Sequence, residues 1–331
     1  MSIRQRTIDA IEHRATDSVP YHIRFTKGAR EKMARLYGNP NFEASLGNCL
    51  SVYRARRLAE VRPNVWRDEF GVEWDRSVDA DIGVAVNTLV TPETLSGFQF
   101  PDPDDPAIYT DFEASANEFG DTLAVAKLSY NLFERAWSLA GMENLLTAMI
   151  ADPAFVHELL DRIAEYNLAV IDNVCKWNID AILFGDDWGH QGGLLMGPHL
   201  WREFIKPRIA RLYQGAGASG KYVFLHCCGR VQELFDDLIE CGLDVFNPFQ
   251  PEVMDVFDMK RQFGDRLTFY GGISTQKTLP FGAVSDVRDE VRHLLDEVGA
   301  SGGYIAAPAH AIPPDAKPEN IAAMIEVLQN Q

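Results

Sequence analysis

The chain predicts a (β/α)8 TIM barrel with an N-terminal helical and hairpin excursion, folded as a single domain over residues 1–331. Three observations lead there. Short apolar segments recur along the chain, and each is followed by a stretch long enough for a helix, the spacing of βα units in a parallel sheet. The segments are continuously apolar rather than alternating, as befits strands covered on both faces. No glycine-rich dinucleotide fingerprint follows the first strand, so an open doubly wound sheet is disfavoured.

The elements follow in order. Arg4 to His13 reads as a short amphipathic helix, and Asp17-Ser18-Val19-Pro20 turns the chain into a first strand, Tyr21–Phe25. Helical stretches are expected at Ala29 to Leu36 and at Leu50 to Glu60, the second presenting Arg54, Arg56 and Arg57 as a solvated face. Val65 to Trp74 alternates bulky and charged residues around Gly71 and suits a hairpin. The proline-rich stretch from Thr91 to Asp105 reads as an extended connector. Leu123–Ser129 is the next strand. Asp152-Pro153 then starts a long helix with apolar residues at Val156, Leu160, Ile163, Val170 and Val174. Further strands are expected at Ala181–Phe184, Lys221–His226, Leu243–Pro248, Leu267–Gly272 and Gly303–Ala307. Seven strands are thus legible, one short of closure. Ile321, Met324, Ile325 and Leu328 mark one face of the last helix.

Composition excludes several classes. With 46% hydrophobic and 24% charged residues the chain is an ordinary globular one, large enough to fold without disulfides. The N-terminus lacks the apolar core of a signal peptide and no run nears the roughly 18 apolar residues of a membrane span, so a cytoplasmic, non-membrane protein is expected. Its five cysteines, two of them adjacent, fit a reducing compartment. A formal charge of −17 argues against nucleic acid, which requires clustered Lys and Arg.

The chemistry centres on Lys221–Gly229, a buried strand running into His226-Cys227-Cys228. Side chains two apart share a face, so His226 and Cys228 look one way and Cys227 the other. An imidazole nitrogen and a thiolate sulfur are donors that zinc prefers. Arg24, Asp186, Asp187, Asn247, Gln250, Ser274, Gln276 and His310 also fall at or just after strand C-termini, where barrel active sites form. Asp186, Asp187 and His310 are the catalytic candidates, and Arg24, Asn247, Gln250 and Tyr304 the substrate-binding ones. Asp186 and Asp187 are neighbours on a strand, so one of the two is expected to face the mouth.

Five segments together resemble the uroporphyrinogen decarboxylase superfamily: Phe184–Gly189, Phe224–Gly229, Asn247–Pro251, Tyr270–Ile273 and Gly303–His310, the last followed by Pro313-Pro314-Asp315 and Pro318-Glu319-Asn320. The resemblance implies the barrel and two chemistries, cofactor-free decarboxylation and zinc-dependent methyl transfer between a corrinoid and a thiol. His226-x-Cys228 matches the zinc motif of the methyltransferase branch. That branch places a third ligand, a cysteine, in the loop after the last strand, where this chain has His310. The resemblance therefore implies bound Zn2+ held by His226, Cys228 and His310, and a small-molecule methyl donor or acceptor. No corrinoid-binding motif is present, so the corrinoid would arrive on a separate protein. The decarboxylase branch grips carboxylates with an arginine-rich loop. Here that stretch reads Arg24-Phe25-Thr26-Lys27-Gly28-Ala29-Arg30, with altered spacing, which makes uroporphyrinogen decarboxylation the alternative and a non-catalytic metal-binding barrel the second alternative.

Overall fold

The structure, a computed structural model, describes residues 1–115 and 120–331. Seven strands form one parallel sheet, paired in chain order: β1 (Leu50–Arg54), β2 (Leu123–Leu128), β3 (Ala181–Gly185), β4 (Tyr222–His226), β5 (Val245–Phe249), β6 (Thr268–Ile273) and β7 (Tyr304–Pro308). The ends of this curled sheet are joined through the extended stretch Tyr21–Phe25. Tyr21 bridges Ala306 of β7 and Phe25 bridges Ile312, both parallel. On its other side the Tyr21 carbonyl accepts from the Cys49 N–H at 2.9 Å, just ahead of β1. The expected first strand is thus held by isolated bridges rather than a continuous ladder. The result is TIM-barrel-like.

One expected element is wrong. Leu50 to Glu60 is not a helix: it contains β1, in register with β2 from Leu50↔Leu123 to Arg54↔Lys127, and then a separate strand over Leu58–Arg62. The β-branched Val52 and aromatic Tyr53 favour a pleated backbone, and β2 supplies a ladder that no isolated helix here could match. Arg54 and Arg56 therefore do not form a solvated helix face. Leu58–Arg62 opens a four-stranded antiparallel sheet that continues through Val65–Asp68, Glu73–Asp75 and Val84–Ala85. Trp66 faces Trp74 across it. A buried ion pair, Arg135 to Asp68 at 2.6 Å, ties this sheet to the helix Phe133–Ala140.

Two apolar layers fix which way each strand residue looks. Inside the curl, Leu50, Val125, Leu183, Phe224, Val245 and Ile305 pack together. Outside it, Val223, Leu225 and Cys227 join the larger core against the helices. Pro153–Val174 is capped by Asp152, whose side chain accepts from the Phe155 N–H, and it buries Val156, Leu160, Ile163, Val170 and Val174. The terminal helix Pro318–Gln329 buries Ile321, Met324, Ile325 and Leu328. Among the described residues no helix is long and apolar enough to cross a membrane.

Candidate metal centre

The alternation of β4 sets the centre. Phe224 looks into the curl, so His226 and Cys228 follow it, while Cys227 lies in the outer core with its sulfur accepting from the Trp188 N–H at 3.3 Å. His226 Nε2 and Cys228 Sγ are 3.6 Å apart. His310, in the loop after β7, completes a group whose ligand atoms all lie within 4.8 Å of one another.

His226 is oriented by its neighbour strand. In register with it, Asn247 places Oδ1 2.6 Å from His226 Nδ1, and the Asn247 amide nitrogen donates to the Tyr270 carbonyl at 2.9 Å. The amide oxygen can only accept, so Nδ1 carries the proton and the Nε2 lone pair faces Cys228. Burial, with Lys127 nearby, pulls the His226 pKa well down, and burial together with Arg24 lowers that of His310. Both rings are neutral at neutral pH, the form that ligates. Burial, with Asp187 and Glu134 close by, pushes the Cys228 thiol up, so a metal must displace its proton.

The backbone here leaves no slack. The Cys228 N–H donates to Asp187 Oδ1 at 2.8 Å and the Gly229 N–H to Gln250 Oε1 at 2.8 Å. Gly229 has φ +92°, and a Cβ on it would stand 2.5 Å from the Gly189 carbonyl carbon. The loops after β3 and β4 are in backbone contact.

Other candidates separate. Asp187 lines the cavity at the mouth, whereas Asp186 is fully buried and turned away. Its carboxylate accepts from the N–H groups of Phe133 and Glu134 at 3.1 and 2.7 Å and from Trp188 Nε1 at 2.6 Å. Asp186 caps a helix and does not line the cavity, contrary to the catalytic position expected of it. Tyr304, expected to bind substrate, is also buried, donating to the Gly271 carbonyl at 2.9 Å, and does not line that cavity. The Asn247 amide holds the His226 ring and the Gln250 amide holds the Gly229 backbone. Ser274 is buried in its own turn, donating to Glu252. Arg24 and His310 do line the cavity.

That cavity, about 500 Å³, also takes in Lys127, Tyr130 and Glu134, which the sequence did not single out, together with Arg54 and Arg56, which were expected on a solvated helix face. Burial and the three arginines Arg24, Arg54 and Arg56 bring the Lys127 pKa down to about 7. Burial, reinforced by Asp187 and Asp186, raises Glu134 well above the carboxylate range. Tyr130 sits in the left-handed region at φ +52° and stacks on Trp74 at 4.5 Å between ring centroids. A lysine inside Leu123-Ala124-Val125-Ala126-Lys127-Leu128 was the available signal, since a buried apolar strand does not carry a charge without a use for it.

A curled parallel sheet with nitrogen and sulfur donors gathered at its strand ends defines a barrel-type active-site mouth. Residues 78–331 match the family model for uroporphyrinogen decarboxylase (URO-D), and the chain belongs to that family. Its relatives are enzymes of two kinds. It is 25% identical over 190 residues to the methylcobamide:CoM methyltransferase MtaA of Methanosarcina barkeri, covering 57% of this chain and 53% of that one. It is 25% identical over 189 residues to the uroporphyrinogen decarboxylase of Methylococcus capsulatus, covering 54% of this chain and 50% of that one. The alignments span about half the length of these curated relatives. A methyltransferase from Methanosarcina mazei shares the fold throughout, with TM-score 0.76 at 18% identity over 100% of this chain and 99% of that one.

Proposed function

We propose that the chain is a zinc-dependent methyltransferase of a corrinoid-linked methyl-transfer or demethylation system, with the corrinoid on a separate protein. The observation that carries this reading is the convergence of His226, Cys228 and His310 at the mouth. The donor chemistry fits zinc: two neutral imidazoles and one sulfur leave a fourth position open. The chemistry a bound zinc supplies is acidification of a thiol, or polarisation of a methyl-bearing oxygen or nitrogen.

The chain's own residues do the rest. Asn247 holds the His226 ring by Nδ1, and Asp187 holds the Cys228 backbone. Glu134 stands at the cavity with its pKa raised by burial, which favours the protonated form that could donate to a leaving oxygen or nitrogen. Arg24 places fixed positive charge beside His310.

Metal analysis of purified protein tests the reading, with zinc near one per chain as the expected result. His310→Ala should deplete zinc and His310→Cys should retain it. Zinc-free protein that releases CO2 from uroporphyrinogen would replace methyl transfer by decarboxylation. Stoichiometric zinc without turnover of any methyl donor would leave a metal-binding barrel.

A further inference from the structure

We propose that Arg54, Arg56 and Lys127, with Arg24 beside them, form a subsite for an oxyanion group of the substrate, across the mouth from His226 and Cys228. The substrate class is then a small organic anion whose methyl group lies toward the donor triad and whose carboxylate, sulfonate or phosphate is gripped by β1 and β2. The placing of the methyl group rests on the methyl-transfer reading; the subsite itself does not require metal.

The argument starts from pairing. Arg30, at the same mouth, is bonded to Glu43. Among the described residues, the side chains of Arg24, Arg54, Arg56 and Lys127 make no hydrogen bond or ion pair with a protein group. The nearby Asp111 spends its hydrogen bond on the Arg54 backbone, its Oδ2 accepting from that N–H at 3.0 Å, and acts on the guanidinium only as a neighbouring charge. In a chain of net charge −17, four cations converge on one cavity, and three of its lining acids are engaged elsewhere: Glu43 by Arg30, Asp79 by the N–H groups of Asp81 and Ile82, and Asp81 by the Lys27 N–H.

Their mutual repulsion is visible in Lys127, which burial and the three arginines hold near pKa 7. Of the other two lining acids, Asp187 accepts from the Cys228 N–H and Glu134 is raised by burial, and neither is ion-paired with these cations. Such a wall is costly until an anion enters. Guanidinium forks then offer paired N–H donors matched to an oxyanion's oxygens, and low-dielectric walls focus their field on the cavity. The volume of about 500 Å³ suits a molecule of ordinary metabolite or drug size.

The test is calorimetric titration of the full chain, stripped of metal with a chelator, with succinate, methanesulfonate and inorganic phosphate in separate arms at low ionic strength. At least one arm should bind, and the preferred arm names the group. Arg54→Gln/Arg56→Gln should weaken that binding roughly tenfold or more, the loss of charge-assisted hydrogen bonds. The single Arg54→Lys and Arg56→Lys variants should weaken it less. Thermal unfolding distinguishes this from misfolding: without anion the double variant should melt no lower than the parent, because repulsion has been removed. Equal affinity in the double variant overturns the proposal, as does failure of all three anions to bind the metal-free chain. Zinc content measured before the chelator, and again after zinc is added back, separates the two readings, since anion binding intact in a chain that never takes up zinc sinks methyl transfer and leaves the subsite standing.

Discussion

The two walls of the mouth are built on opposite plans. On the side of β4 and β5 the donor residues are braced: His226 by Asn247, Asn247 by Tyr270, the Cys228 backbone by Asp187 and Gly229 by Gln250. On the side of β1 and β2 the side chains of Arg54, Arg56 and Lys127 make no hydrogen bond or ion pair with a protein group among the described residues. Bracing suits a group that must be held in one geometry before its ligand comes, because orientation is then settled in folding rather than in binding. Leaving charge unbraced suits a surface whose partner is the ligand itself. The contrast separates a metal-type site from an anion-type site within one cavity.

The largest effect that could break the contrast is at the braced wall. Cys228→Ala should cost more zinc affinity than the roughly 10–100-fold typical of losing an outer-shell partner, while Cys227→Ala should keep the metal and lose only a little core packing. Zinc titrations against a chromophoric chelator read both, and the reverse outcome would mean that β4 is misregistered. Asn247→Ala should reduce zinc affinity by about 10–100-fold without touching a ligand. Unchanged affinity there would show that the brace is ornamental and the two walls less different than they look.

The unbraced wall makes its own prediction in pH. The Lys127 pKa, near 7 in the folded chain, lies below its unfolded value of about 10.4. The folded state is therefore penalised wherever this ammonium would be charged in the unfolded chain. The penalty is absent above about pH 10, grows as pH falls toward 7 and is complete below that. Lys127→Met should remove this dependence and stabilise the chain by a few kcal/mol near pH 7, as read by denaturant melts at several pH values. A variant that is destabilised at pH 7 would mean that Lys127 has a structural partner. The smallest expected change is in Asp187→Asn, which should leave zinc content near that of the parent while lowering turnover. A parallel fall in zinc would make Asp187 a ligand.

These walls were not equally legible in the sequence. Buried strands β2 to β7 announce themselves as continuous apolar runs, and the period of two in β4 correctly separates Cys228 from Cys227. The same rule says that Asp186 and Asp187 face opposite ways without saying which faces the mouth; that depends on the N-terminus of Phe133–Ala140, whose N–H groups lie 52 to 54 residues away and claim Asp186. Tyr304 likewise needs the Gly271 carbonyl to explain it. Strand β1 hid because its charges mimic a solvated helix, when in fact Arg54 and Arg56 reach into a cavity that exists only once β2 lies alongside. Long-range partners decide these cases, and no local pattern carries them.

The contact between Gly189 and Gly229 sets a limit on how this mouth can be remodelled. Loops at the top of a barrel are ordinarily the interchangeable parts, swapped or lengthened to change what the fold accepts. Here the two loops are one part. The His190 carbonyl accepts from the Arg230 N–H at 2.9 Å, and no side chain fits between the glycines. Insertion in either loop would drag Cys228 away from His226. Variation in specificity must therefore come from the loops on the β1 and β2 side, which can change length without displacing a donor atom.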